Sequence, residues 1–145
     1  MTYWMLVGTP ENWEIMGKND FSLCAMKSGR KNYASRVQRG DKVVFYLTKL
    51  QAFAGIAEFT STVKEDHTKL FVSEKKGEDY PWRFTIKPEV MLEKDKAIPA
   101  ETLKDKLEYI KKWPKEHWKL AFQGNVHLIP ETDHQTIKTA LEKAK

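Results

Sequence analysis

The sequence predicts an α+β domain: a twisted β-barrel with short peripheral helices and one longer helix at its C-terminus. Three observations predict it. Runs rich in aromatic and β-branched residues (Thr2–Val7, Lys42–Thr48, Ala52–Ser61, Pro81–Leu92) read as strands separated by turn signals. Gly55, inside the AFAGIAEFTS run, marks a bulge or sharp bend of the kind a barrel corner needs. After Pro130, Ile137 and Leu141 recur at helical spacing, one amphipathic helix ending near Ala144.

The elements follow in order. Thr2–Val7 is a first strand. Thr9-Pro10-Glu11 supplies a cap, a first-turn proline and an early acid, so a short helix runs through Asn12–Met16. Phe21–Ala25 reads as a buried strand, and Lys27–Lys31, polar and holding Gly29, as an exposed loop. Arg39-Gly40-Asp41 is a turn. Val63–Ser73 alternates weakly. In Pro81–Leu92, Trp82, Phe84 and Ile86 fall on one face and Arg83, Thr85 and Lys87 on the other, with Pro88 breaking the strand or marking an edge. Leu103, Leu107 and Ile110 predict a helix over Pro99–Lys112, ended by Trp113-Pro114. Lys115–Phe122 is a further helical turn and Asn125–Ile129 a last strand. No repeat or linker divides the chain, which reads as a single domain over residues 1–145.

The 145 residues are 41% hydrophobic and 31% charged, a globular composition. No apolar run is long enough to cross a membrane, and the N-terminus lacks the basic flank and apolar core of a signal peptide. One cysteine excludes an internal disulfide and a multi-cysteine metal site. A cytoplasmic protein with no membrane partner is expected. The net charge is +5. Between Lys27 and Lys42 six basic residues face Asp41 alone, so this stretch carries the whole excess. A second cluster holds Lys111, Lys112, Lys115 and Lys119 against Glu116, beside Trp113 and Trp118. Localised cations among aromatics are what a phosphate-tracking surface requires, and they equally describe a solvated face.

Motifs for catalysis are sparse. The four histidines, His67, His117, His127 and His134, form no ligand-spaced pair, so neither a metal nor a cofactor is expected. Cys24 lies in an apolar stretch and serves as a nucleophile only if exposed beside a base. Asp66-His67 offers an acid and a base, but neighbours on a strand point to opposite faces.

Four stretches taken together resemble a known family. They are TYWMLVGTPENWEI, then FSLCAMKSGRKNYASRVQRGDKVVFYLTK, then FAGIAEFTSTVKEDHT, and YPWRFTIKPEVML followed by LIPETD. The chain is similar, over nearly its whole length, to EVE-domain proteins of the PUA-like superfamily, relatives of the YTH readers of methylated RNA bases. The resemblance implies a PUA-like barrel with a cleft that takes a flipped-out, often modified base between aromatic rings, while basic residues hold flanking phosphates. Carried over by position, the cleft residues are Phe21, where relatives have Trp, then Ser22, Asn32, Tyr33, Tyr46, Thr48, Trp82 and Trp118. Asp66 matches an acidic position after the Gly-Ile strand. Lys27, Arg30, Lys31 and Arg36 flank the cleft as phosphate ligands. Each has a plainer reading: Phe21 and Tyr46 as core, Asn32 as a turn cap, Arg36 as the partner of Asp41.

The expectation is therefore a nucleic-acid-binding reader, of DNA or RNA, recognising a modified base. A protein partner such as a nuclease or an RNA-processing component is compatible with it. The alternatives are a nucleoside or small-molecule sensor using the same cleft, and a hydrolase using Asp66 with His67, or Cys24.

Overall fold

The computed structural model describes residues 1–73 and 75–145. Strand β1 (Tyr3–Gly8) runs directly into helix α1 (Pro10–Lys18), where Thr9 Oγ1 accepts the Asn12 N–H at 3.2 Å and Pro10 opens the first turn. The remaining strands are β2 (Leu23–Met26), β3 (Lys42–Leu47), β4 (Ala52–Phe59), β5 (Lys64–Glu65), β6 (Trp82–Met91), β7 (Ile98–Pro99) and β8 (Val126–Leu128). The order across the sheet is β2-β6-β4-β3-β1-β8, with β5 on β6 and β7 on β4. All these pairs are antiparallel except β1 with β3, which are parallel, Tyr3 opposite Lys42 and Gly8 opposite Leu47. The mixed sheet curls into a half-barrel, with helices α2 (Lys31–Ala34) and α3 (Glu131–Ala144) beside it.

Both faces of the central strands are covered. On β1, Trp4 and Leu6 join one cluster with Trp13, Phe45, Phe59 and Phe84, while Met5 and Val7 join another with Phe53, Ile56, Ile137 and Leu141. Alternate residues serve opposite clusters, so β1 and β3 read as continuous apolar runs. Asp41, 3% exposed, ties the start of the sheet together. It accepts the Thr2 and Gln38 N–H groups and the Trp4 indole Nε1–H, each at 3.0 Å. Its partners are these donors rather than Arg36, which lies over the Tyr33 ring at 5.9 Å.

Gly55 holds the position expected of a barrel corner. The β3–β4 register shifts between Phe45 and Tyr46, leaving Ala54 as the bulged residue beside it. A Cβ on Gly55 would lie 2.6 Å from Met91 Sδ and 2.8 Å from both Trp13 Cη2 and the Val90 carbonyl. Only glycine lets Trp13 and Met91 approach β4 this closely.

Several expectations are corrected. Pro88 does not break β6: Ala57 faces Pro88 and Ile56 faces Val90, so the strand passes through a bulge at Glu89, and because β2 pairs with β6 only over Trp82–Thr85, Pro88 lies on the edge stretch expected of it, where proline's missing N–H is tolerated. Lys27–Lys31 is not an open loop but a 310 turn (Ser28–Arg30) leading into α2, held because Ala34 is buried. Val63–Ser73 contributes only the two residues of β5. Pro99–Lys112 forms 310 turns at Ala100–Thr102, Lys104–Lys106 and Tyr109–Lys112 instead of a helix. Leu107 is extended (φ −93°, ψ 118°), and the Asp133 carboxylate takes the Glu108 and Tyr109 N–H groups, both at 2.8 Å. Those donors are satisfied from α3, so no helix is needed to satisfy them, while Leu103, Leu107 and Ile110 are buried all the same.

Candidate functional site

The parallel pair β1–β3 ends beside the first turn of α1, and a cavity opens there. Its deep chamber is walled by Leu6 and Val7 from β1, Trp13 and Met16 from α1, Cys24 from β2, and Phe45, Tyr46 and Leu47 from β3. Phe71 and Tyr80 cover it, their rings edge-on at 5.7 Å. The chamber then widens into an outer groove bordered by Thr9, Lys27, Arg30, Thr48, Lys75 and Gly124. The chamber measures about 40 Å³ and the outer groove about 540 Å³.

Trp13 is fixed as the back wall. Its Nε1–H donates to the Leu92 carbonyl at 2.9 Å, and its ring contacts Phe21 at 4.7 Å and Phe45 at 5.4 Å between centroids. Tyr46 is fixed by face-to-face stacking on Phe122 (4.2 Å, 3° between planes), and burial pushes its phenol up to about 12.

Two buried asparagines build the rest. Asn12 Nδ2–H donates to the Val72 carbonyl at 2.9 Å, and the Val72 N–H donates to Asn12 Oδ1 at 2.8 Å. This amide pair clips the strap carrying Phe71 onto α1. Asn125 precedes β8. Its Oδ1 accepts the Lys27 N–H, just beyond β2, and its Nδ2–H donates to the Val7 carbonyl, both at 2.9 Å. The strands β2 and β8 are the two ends of the sheet path, so Asn125 bridges the seam of the half-barrel with side-chain hydrogen bonds. It lines both chamber and groove.

The cation balance favours an anion at the mouth. Among the described residues, Lys27, Arg30 and Lys75 border the outer groove with one acid, Glu78, which pairs with Lys27 at 3.4 Å. Arg30 Nη2 lies 3.4 Å from the Cβ position of Gly124, whose φ of +88° and bare Cα give the guanidinium room.

Of the residues singled out from sequence, the cavity brings together Tyr46, Thr48, Lys27 and Arg30. Phe21 stands behind Trp13, at φ +50° after α1, and supports the wall rather than lining it. Ser22 is exposed, its hydroxyl donating to the Asn19 carbonyl. Asn32 is exposed on α2, and Tyr33 packs edge-on to Trp4 at 6.4 Å. Arg36 stays exposed over Tyr33. Trp82 opens β6, donates Nε1–H to the Ser28 carbonyl at 3.0 Å and carries Lys31 Nζ 5.6 Å over its ring. Trp118 lies in a separate groove. Asn12, Trp13, Phe71, Tyr80 and Asn125 also line the cavity, and none of them is among the positions that the resemblance assigns to the cleft. A polar residue on the inner face of α1 was the available signal for Asn12; Phe71 and Tyr80 gave none, because their segment folds back from far along the chain.

The proposed acid–base pair does not form. His67 Nδ1 lies 2.9 Å from Asp79 Oδ2 and Nε2 lies 2.6 Å from Glu65 Oε2, and these hydrogen bonds raise its pKa. Asp66 instead accepts the Thr68 N–H at 2.9 Å, which lowers its own. Cys24 is wholly buried at the chamber wall, and desolvation raises its thiol pKa far above the ordinary value. Among the described residues no three His, Cys, Asp or Glu side chains converge to hold a metal, and no helix is long and apolar enough to cross a membrane.

Residues 2–140 match the EVE domain. The chain belongs to the EVE domain family. It is 32% identical to UPF0310 protein PH1033 of Pyrococcus horikoshii, over 97% of this chain and 99% of that one. Solved structures share the fold of this EVE domain at low identity. The Mmi1 YTH domain in complex with RNA superposes with a TM-score of 0.66 at 13% identity, covering 99% of this chain and 79% of that one. The YTH domain of Zygosaccharomyces rouxii MRB1, in complex with N6-methyladenosine RNA, gives 0.65 at 15% identity, covering 97% and 84%. The half-barrel, the flanking helices and the C-terminal helix of this chain are thus a YTH-like, PUA-like arrangement.

Proposed function

We propose that this EVE domain is a reader of single-stranded nucleic acid, RNA in the first instance, that takes one unpaired and preferably methylated base into the chamber. The observation that carries the reading is an apolar, aromatic chamber beneath a mouth that, among the described residues, three cations and one acid border. The chamber supplies ring faces for a base, and the mouth supplies charge for its flanking phosphates. The YTH relatives by fold, crystallised with RNA and in one case with N6-methyladenosine, support the same reading.

The chamber's chemistry favours a methyl group over a second polar edge. Asn12 and Asn125 spend their amides on the Val72, Lys27 and Val7 backbone. Tyr46 lines the chamber, and Thr9 Oγ1, which accepts the Asn12 N–H, keeps its own proton to donate to a base edge. Burying one methyl contributes about 0.8 kcal/mol, close to a fourfold preference. The chamber as it stands has room for about three waters, at about 10–15 Å³ each, and not for a nucleobase. The strap bearing Phe71 must therefore lift for a base to enter.

Titration of tryptophan fluorescence with short single-stranded oligonucleotides, unmodified or carrying methylated adenine or cytosine, tests this. The expected result is binding that weakens steeply with salt and tightens about fourfold with one methylated base. Lys27→Gln with Arg30→Gln should shallow the salt slope by about 1.4, at about 0.7 per phosphate contact. No binding to any oligonucleotide at low salt overturns the proposal. Binding of a free nucleoside without salt dependence would turn it into a small-molecule sensor.

A further inference from the structure

The segment Lys104–Lys119 takes no part in the chamber, although it holds six lysines against three acids. Because it folds as 310 turns, Trp113 and Trp118 meet in one open groove with Ile110, Lys104, Lys111 and Lys115. Both indoles are half-buried, and Lys111 and Lys115 are exposed. The Lys104 and Lys119 ammonium groups hover over the Trp118 ring at 5.4 and 5.8 Å, and Lys112 lies 5.3 Å over Tyr109. Among the described residues one acid, Asp105, lines this groove, and Glu108 pairs with Lys111 at 2.9 Å.

We propose that this groove is a second nucleotide subsite, in which a base of the same strand stacks on Trp118 while the surrounding lysines take its phosphates; the inference rests on the reader function. Its position supports one continuous path. Phe122, which borders the outer groove and stacks on Tyr46, meets the Trp118 ring edge-on at 6.1 Å. Along a second line, the Tyr109 hydroxyl lies 2.9 Å from His127 Nδ1 beside Gly124 and Arg30, and the Tyr109 ring lies 5.2 Å from Trp113. Along this second line Arg30, the His127 ring, Tyr109 with Lys112 over it, and Trp113 connect the mouth of the chamber to the second groove.

The energetics favour a base over the lysines now covering the ring. An ammonium over an exposed ring is held by about two- to fivefold. Base–aromatic stacking is worth about 5- to 150-fold. A base therefore displaces the ammonium groups, which swing to the neighbouring phosphates. Flat ring faces spaced among cations match the alternation of base and phosphate in a single strand; an acidic peptide offers the charge without the flat faces.

The test compares a trinucleotide, filling the chamber alone, with a nonanucleotide long enough to reach the second groove. The wild-type chain should bind the nonanucleotide more tightly. Trp118→Ala should weaken nonanucleotide binding about 5- to 150-fold and leave trinucleotide binding unchanged. Because Trp118 also supports Phe122, a second variant guards against misfolding: Lys111→Gln with Lys115→Gln, both exposed, should shallow the nonanucleotide salt slope by about 1.4. Equal weakening of both oligonucleotides by Trp118→Ala, or an unchanged nonanucleotide affinity and slope in the lysine variant, overturns the subsite. Polyglutamate that binds wild type and is lost in the lysine variant, with nonanucleotide affinity intact, overturns it in favour of an acidic partner. Failure of the wild-type chain to bind either oligonucleotide would instead remove the reader function on which the subsite rests.

Discussion

Replacing Asn12 with alanine should release the strap over the chamber without unfolding the domain. The side chain makes two hydrogen bonds to one residue, accepting from the Val72 N–H at 2.8 Å and donating to its carbonyl at 2.9 Å. Each such bond contributes about 0.5–1.5 kcal/mol net, so the clip is worth about 1–3 kcal/mol. Val72 is itself 49% exposed, so once unclipped its backbone can turn to water rather than stay buried and unpaired. The cost therefore falls on strap closure more than on global stability. Native-state hydrogen exchange reads this directly. The Val72 amide should exchange about 5- to 150-fold faster in Asn12→Ala, while amides of β3 and β4 keep their protection. If strap lifting gates the chamber, the association rate of a methylated oligonucleotide should rise within the same range. Unchanged Val72 exchange, or acceleration shared equally by the β3 and β4 amides, would refute the clip. Faster exchange with an unaltered association rate would refute the gate.

Two further outcomes follow from the same geometry. Asp41→Ala leaves the Thr2, Gln38 and Trp4 donors without their acceptor, and at about 1 kcal/mol or more for each the loss in urea denaturation should reach about 3 kcal/mol; a loss below about 1 kcal/mol would show that water replaces the carboxylate. NMR titration should place His67 above the ordinary histidine value, through its hydrogen bonds to Glu65 and Asp79, and His127 and His134 below it, through burial. The signs for stability are opposite. The His67 contribution is complete below its unfolded pKa, near 6.5, and fades as pH rises through the higher folded value. The two buried histidines favour the folded state above about pH 6.5 and cost stability as pH falls towards their lowered values. A His127 titrating above His67 would contradict both environments.

The elements legible in the sequence are those whose signals are local. Thr9 and Pro10 start α1 because cap and first-turn preferences act within one turn. Ile137 and Leu141 place α3 by periodicity, and both are buried as that periodicity requires. Gly55 announced a bulge because no other residue tolerates the approach of Trp13 and Met91. The apolar period in 99–112 located its buried side correctly but not its conformation. That was decided by Asp133, more than twenty residues on, which satisfies backbone donors a helix would otherwise have paired.

The candidate site divides the same way. Composition and motif order carried the family, the basic mouth at Lys27 and Arg30, and Tyr46 and Thr48 on the edge of the cavity. What only the tertiary structure decided is which aromatics face inward there. Trp13, Phe71 and Tyr80 reach one chamber because Asn12 and Asn125 bind backbone groups 60 and 98 residues away in sequence. Phe21, Trp82 and Trp118 have the same chemistry but are committed to a supporting stack, a loop carbonyl and a second groove. A sequence shows that a ring is present and how its immediate neighbours turn the chain. Whether that ring lines a cavity or backs its wall depends on contacts between segments that come together only when the sheet curls.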